Sequence, residues 1–82
     1  MEFQETRVYF YSGYKAVVRP LAFDYEGRRR EVEEILDRWY EGDRDAARPV
    51  VNYFKVKTEE GGVFLVRYDS SSDTWAVRPL GD

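Results

Sequence analysis

Short runs in which apolar and polar residues alternate follow one another along the first half of the chain. They lie at residues 7–11, 14–19 and 21–25; a Ser-Gly pair separates the first two, and a Glu-Gly pair follows the third. Alternation with a period of two, together with many aromatic and β-branched residues, is typical of strands. The sequence therefore predicts three strands here, the first two forming a hairpin. Pro20 lacks a backbone donor, so we expect it at a strand start or at a sheet edge.

The second half predicts three more strands, at residues 50–57, 63–68 and 74–78, with polar and glycine-containing turns between them. In the first of these, Phe54 and Val56 fall on one face and polar side chains fall on the other, as in a strand with one wet side. Residues 63–66 are apolar on both faces, which predicts a central strand that is covered on two sides.

Residues 31–41 fit two different structures. Their apolar side chains recur at the i, i+3, i+4, i+7 and i+8 spacing of a surface helix, and these residues are Val32, Ile35, Leu36, Trp39 and Tyr40. The same segment fits a strand if a bulge near Glu33 and Glu34 shifts the alternation. That strand would form a tight hairpin with residues 21–25. Periodicity alone favours the helix.

A resemblance bears on this choice. The run RPLAFDYEGRRREVEEILDRWYE at residues 19–41, followed by YFKVKTEEGGVFLVRYD at 53–69 and TWAV at 74–77, resembles a family of small uncharacterised prokaryotic proteins. A similar module is appended to some polymerase-like proteins of translesion DNA repair. In such relatives a bulky aromatic residue often stands at the position of Arg30, which implies an alternating strand. On this resemblance we predict a bent strand.

The predicted fold is a single domain over residues 1–82, mainly β, built as a small antiparallel meander or a partly closed barrel of six to seven strands. The alternative is an α+β domain with one helix at about residues 31–41 packed on the sheet. The chain has 82 residues and contains 2 Trp, 7 Tyr and 5 Phe. Large aromatic side chains make a stable core plausible in so small a domain. We assign both Trp39 and Trp75 to that core.

Charge and composition exclude several classes of function. The net charge is −3, and the acidic residues concentrate between residues 31 and 45, so the broad basic field of a strong nucleic-acid binder is missing. There is no His, no Cys and no phosphate-binding glycine motif, so we predict no enzyme activity, no cofactor and no metal site. The absence of cysteine and of a long apolar run leads us to expect a soluble, cytoplasmic protein without membrane contact.

Two charged clusters are candidate sites. The first consists of carboxylates that are able in principle to gather a hard cation or form an acid/base pair, and these are Glu31, Glu33, Glu34 and Asp37. We favour a solvated acidic face, because the cluster has no defined ligand spacing. The second cluster contains Arg28 and Arg29, where an anion would contact guanidinium groups. Surface ion pairing with neighbouring glutamates is the competing interpretation.

The third candidate is a wet β face of tyrosines and lysines. Its residues are Tyr9, Tyr11, Tyr14, Lys15, Tyr53, Lys55 and Lys57. Bases stack on faces of this kind in compact β domains. The tyrosines would equally serve to cover a second core or to form an interface with their hydroxyl groups in water.

From these features we predict a non-enzymatic binding or adaptor module whose partner is a protein or, more weakly, a single-stranded nucleic acid. The alternative is a structural or oligomerisation domain that uses the exposed tyrosine face as a self-interface. The predicted oligomeric state is a monomer or a homodimer.

Overall fold

Seven antiparallel strands form one curled sheet in a computed structural model that describes residues 2–13, 18–42 and 50–81. The strands are β1 (Gln4–Glu5), β2 (Val8–Ser12), β3 (Val18–Tyr25), β4 (Arg28–Glu41), β5 (Val51–Thr58), β6 (Val63–Asp69) and β7 (Thr74–Gly81). Their order across the sheet is β1-β7-β6-β5-β4-β3-β2. The predicted mainly β fold is therefore confirmed as a partly closed barrel. The helical alternative for residues 31–41 is wrong, because these residues belong to β4.

The long strand β4 connects the two parts of the sheet. It pairs with β3 through Arg28–Glu31 and with β5 from Val32 onward. Its register against β5 shifts twice, so that Glu33 and Leu36 are extra residues without a partner. Bulges of this kind bend a strand and increase its twist, which allows one strand to serve both parts of a curled sheet. The predicted bulge near Glu33 is confirmed, and the second bulge at Leu36 is an additional finding.

These two bulges explain the helix-like spacing of the sequence. Each extra residue resets the alternation, so Val32 and Ile35 both pack against the core on the inner, concave face although they are three residues apart. Arg38 follows three residues later, and its guanidinium carbon lies 5.0 Å from the centre of the Phe54 ring. A strand bulged at intervals of three residues thus shows the i, i+3 pattern that normally indicates a helix.

The core fills the concave side of the sheet with residues that alternate along each strand. They are Val8, Phe23, Phe54, Val56, Phe64, Val66, Trp75 and Val77. Aromatic rings meet edge to face, as between Phe23 and Phe64 at 4.9 Å, a favoured arrangement of ring quadrupoles. Trp75 is 7% exposed, so its predicted place in the core is confirmed.

Two strand predictions need correction. β6 lies between β5 and β7 as expected of a central strand, but only its inner face is buried, while Val63 and Leu65 are half-buried on the outer face. The segments predicted as separate strands around Pro20 form the single strand β3. Pro20 pairs with Phe10 next to a register shift, and β4 joins β3 only from Ala22 onward. On the β4 side, Pro20 therefore has no partner strand, so its missing backbone N–H is tolerated inside β3.

The chain between β1 and β2 joins the two ends of the sheet order. β1 pairs with β7, and β2 pairs with β3. Between them, the Thr6 amide donates to the Trp75 carbonyl at 3.1 Å, and the Thr6 hydroxyl donates to the Asp24 carbonyl at 2.7 Å. Thr6 thus contacts β7 and β3 at once, and this contact curls the sheet toward a barrel. No helix among the described residues is long and apolar enough to cross a membrane.

Candidate binding surface

Trp39 is partly exposed on the outer, convex face of the sheet. It is 41% exposed and stacks on Tyr53, with ring centres 5.5 Å apart and ring planes 12° apart. The assignment of Trp39 to the core is therefore wrong. The register is the reason, because Arg38 pairs with the buried Phe54 and Trp39 pairs with the outward-facing Tyr53.

The neighbours of this stacked pair are aromatic and cationic. Phe3 lies 6.4 Å from Tyr53, ring centre to ring centre, and the guanidinium carbons of Arg67 and Arg78 lie 5.5 Å and 5.9 Å from the Phe3 ring. Partial burial and then the hydrogen bond to the Glu41 carboxylate raise the pKa of Tyr53 above its ordinary value, against an opposing effect of Arg67. Tyr53 therefore keeps its proton and is held in place from two sides.

Part of the predicted tyrosine and lysine face is present on β5. Tyr53, Lys55 and Lys57 alternate with the buried Phe54 and Val56, so they share the outer face. Lys55 pairs across the strands with Asp37, and Lys57 with Glu34; the Lys57 ammonium nitrogen also lies 3.5 Å from a Glu33 carboxylate oxygen. Opposite charges on facing residues stabilise a sheet. Lys57 is thus ion-paired with β4, whereas Lys55 faces Asp37 in the register without an ion pair among the described residues.

The remaining predicted residues of that face lie elsewhere or outside the described residues. Tyr9 is on β2 and contacts two guanidinium groups, those of Arg29 at 4.4 Å and Arg7 at 5.3 Å from its ring centre. Tyr11 is 61% exposed and pairs with Arg19. β3 and β4 separate β2 from β5 in the sheet. Tyr14 and Lys15 lie outside the described residues, so the predicted surface is divided.

The two candidate anion contacts are both engaged in ion pairs. Arg28 pairs with Glu60, and the Arg29 Nε lies 2.6 Å from a Glu31 carboxylate oxygen. All four side chains are substantially exposed, where such pairs contribute little stability. The pairing with Glu31 agrees with the interpretation that neighbouring glutamates neutralise this cluster.

The carboxylates of β4 are spread along the strand. Glu31 and Glu33 are ion-paired, whereas an Asp37 carboxylate oxygen accepts the Arg38 backbone N–H at 2.8 Å. Over the described residues, no group of three acidic side chains is placed to hold a metal ion. Bulges and cross-strand pairing therefore give these side chains different partners instead of one shared centre.

A hollow adjoins the Trp39–Tyr53 pair where β4 ends and β5 begins. It is lined by Arg38, Trp39, Tyr40, Asn52, Tyr53 and Phe54. Tyr40 is 71% exposed, and Arg38 donates to the Val18 carbonyl at 3.0 Å. Sequence reasoning missed this region, although Asp37 and Glu41 at two residues on either side of Trp39 already indicated a solvent-facing side of the strand.

Comparison of the chain with protein-family models, with curated proteins and with solved structures gave no match. The resemblance to small prokaryotic proteins thus stays a prediction.

Proposed function

We propose that this domain is a non-enzymatic binding module that engages a partner protein through the outer face around Trp39. The contact surface is the Trp39 patch, defined as Trp39 and Tyr53 with the flanking carboxylates Asp37 and Glu41. The observation that supports it best is the parallel stack of Trp39 on Tyr53 with 41% of the tryptophan exposed.

The energetics of an exposed tryptophan support this choice. Trp39 takes no part in the buried cluster that holds the sheet together, so the fold depends on it less than on the buried Trp75. Removal of apolar area from water is worth about 25 cal/mol per Å², or about 1.5–3 kcal/mol for a whole large side chain, and 41% of Trp39 is still exposed. Tryptophan and tyrosine are also the residue types that dominate binding energy at protein interfaces. A partner that covers this stack removes from water the part of the Trp39 ring that folding leaves exposed, and that burial stabilises the complex.

The charges beside the patch disfavour a nucleic acid as the main ligand. Lys55 and Lys57 face Asp37 and Glu34 across the strands. Phosphate contacts need lysines and arginines with an excess of positive field, because the release of counterions drives such binding. A protein partner does not require an excess of positive charge on the patch.

A displayed library of random peptides, selected on the immobilised domain, tests the proposal. We expect peptides that bind the native domain and lose binding to Trp39→Ala. The matched control is Leu80→Ala, since Leu80 is similarly exposed at 42% but lies on β7. The proposal is wrong if no peptide discriminates between Trp39→Ala and the control.

The two other predicted functions give different results in parallel measurements. A single-stranded oligonucleotide that quenches Trp39 fluorescence in a Trp75→Phe background, when no peptide binds, would support the nucleic-acid alternative instead. Sedimentation that shows self-association lost in Trp39→Ala would support the self-interface. Each of these results would replace the protein-binding proposal.

A further inference from the structure

We infer that the partner presents an extended basic segment, and that the Trp39 patch holds one of its arginine or lysine side chains between two carboxylates. This inference rests on the proposed function and adds the chemistry of the partner. It starts from the order of side chains along the outer face of β4, where Asp37, Trp39 and Glu41 follow one another at every second residue.

The spacing places an acid on each side of the indole. A strand rises about 3.3 Å per residue, so each carboxylate-bearing residue lies roughly 7 Å along the strand from Trp39. Asp37 is oriented by the Arg38 backbone N–H. Glu41 lies close enough to Tyr53 to raise the pKa of its hydroxyl. Neither Asp37 nor Glu41 forms an ion pair with another residue that the structure describes, in contrast to Glu31 and Glu33.

Indole and carboxylates together favour a cation. Tryptophan binds ammonium and guanidinium groups over its ring more strongly than the other aromatic residues do, and each carboxylate accepts a charge-assisted hydrogen bond. One side of the Trp39 ring stacks on Tyr53. A cation that approaches the exposed side would meet the ring and both acids at once.

The edge of β4 determines the shape of the partner. β3 pairs with β4 only through Arg28–Glu31, so in the described part of the chain no strand covers the other edge of β4 beyond Glu31. The bulges at Glu33 and Leu36 interrupt the first part of that edge, whereas Asp37–Glu41 is regular against β5. An extended segment has side chains that repeat every second residue, which is the spacing of the patch.

Charge also decides between a basic partner and a second copy of this chain. Two copies joined along β4 would bring its carboxylates together, and like charges on facing strands are destabilising. The chain as a whole carries −3, which adds a weak repulsion between copies and a weak attraction for a basic segment. A basic segment of another protein therefore fits this surface best.

Amide chemical shifts of the full chain, recorded during titration with a blocked Arg-Ser-Arg-Ser-Arg peptide, test the inference. We expect the Trp39 indole N–H and the amides of Asp37 and Glu41 to shift, and binding to weaken as NaCl is raised from 50 to 500 mM, because salt screens exposed charges. The blocked Glu-Ser-Glu-Ser-Glu peptide should cause no shift there.

Paired variants separate the specific site from general charge. Asp37→Asn combined with Glu41→Gln should weaken binding of the arginine peptide by about tenfold or more, the equivalent of one lost strong contact. The control, Glu2→Gln combined with Glu59→Gln, makes the same change in net charge at exposed positions and should weaken binding far less. Equal losses in the two pairs would overturn the inference.

Failure of the inference and failure of the proposed function give different results. If library peptides without basic residues bind the Trp39 patch, and the Asp37 and Glu41 variant binds them unchanged, the basic partner is wrong and the binding function stands. If no peptide of any composition depends on Trp39, the proposed function is wrong as well.

Discussion

Trp39 and Trp75 show one residue type in two opposite environments. Trp75 is 7% exposed and Trp39 is 41% exposed. Replacement of a fully packed large aromatic residue by alanine typically costs about 3–5 kcal/mol, because it removes buried area and leaves a cavity. A stacked pair at a partly exposed site contributes about 0.5–1.5 kcal/mol beyond its area.

We therefore predict that Trp75→Ala lowers the free energy of unfolding by about 3–5 kcal/mol. Trp39→Ala should lower it by about 2 kcal/mol, since part of the Trp39 ring is covered in addition to its stack on Tyr53. Urea unfolding followed by the amide exchange or far-UV circular dichroism of the strands measures both, because the midpoint of the transition is compared and not the amplitude of the signal. Equal losses of free energy of unfolding in the two variants would mean that Trp39 supports the fold as much as Trp75 does. Its ring would then not be available to a partner.

Asp69 gives a prediction about protonation. Its carboxylate accepts hydrogen bonds from the Ser71 hydroxyl at 2.7 Å and from the Ser71 backbone N–H at 3.0 Å. These bonds, the hydroxyl first, stabilise the charged form and lower the pKa of Asp69. We predict that Ser71→Ala moves this pKa back toward the ordinary value of an aspartate, which carboxyl carbon shifts during an NMR titration will show.

The sign of the associated stability follows from the direction of the shift. Because the folded pKa lies below the unfolded pKa of about 3.9, the contribution is fully present above the unfolded value and is lost as pH falls through the folded one. Ser70→Ala is the control, since the Ser70 hydroxyl donates to the Val50 carbonyl instead. A pKa of Asp69 that is unchanged in Ser71→Ala, or changed as much in Ser70→Ala, would contradict the assignment.

At the scale of elements, regular strands could be predicted and the bulged strand could not be predicted from periodicity alone. In β5 the period of two correctly placed Phe54 and Val56 inside and Tyr53 outside. In β4 the two bulges convert that period into a spacing of three, and a single bulge at Glu33 does not correct the faces beyond Leu36. The misplacement of Trp39 has this cause, because one unrecognised extra residue exchanges the two faces of everything that follows.

Deletion of Glu33 tests this account of β4. Without the extra residue, Val32, Glu34 and Ile35 alternate regularly against β5. Val32 and Ile35 therefore both stay on the inner face, and only the bend of the strand is lost. We predict that the free energy of unfolding falls by less than about 2 kcal/mol, the lower end of the cost of removing a large aliphatic side chain from a core. Thermal and urea unfolding measure it.

Glu33→Ala is the control for the deletion. It keeps the bulge and removes only the exposed pair with Lys57, for which we expect a change within about 1 kcal/mol. If the deletion variant loses about 2–5 kcal/mol more than Glu33→Ala, one of the two side chains has left the core and this account of the bulge is wrong.

At the scale of the whole molecule, the place of β1 beside β7 was not accessible from the sequence. The pattern predicted neighbouring hairpins, and these are present from β2 to β7. β1 has only two residues, Gln4 and Glu5, too few for any periodicity to register. Tyr9 and Tyr53 are separated because β3 and β4 lie between their strands in the sheet. Tyr9 contacts Arg29 and Tyr53 stacks on Trp39, and both contacts join parts of the chain that are distant in sequence.

Thr6 connects the two ends of this order, which gives a prediction for the molecule as a whole. In Thr6→Val the shape is kept, the backbone bond to Trp75 remains possible, and the hydroxyl bond to the Asp24 carbonyl is lost. We expect the free energy of unfolding to fall by about 1 kcal/mol, the usual net value of such a bond. We also expect the amide protons of Thr6 and Asp24 to exchange faster, because both lie where the two ends meet.

Thr74→Val distinguishes closure of the barrel from the simple loss of a hydroxyl. Its side chain shares a hydrogen bond with Ser72 in an exposed turn, so any loss of stability should leave the exchange of Thr6 and Asp24 unchanged. If Thr6→Val destabilises the protein without faster exchange at these two amides, the hydroxyl contributes only local energy. Faster exchange at both amides, in the absence of any change along β5 and β6, would instead establish that the curled sheet opens at Thr6 before its central strands separate.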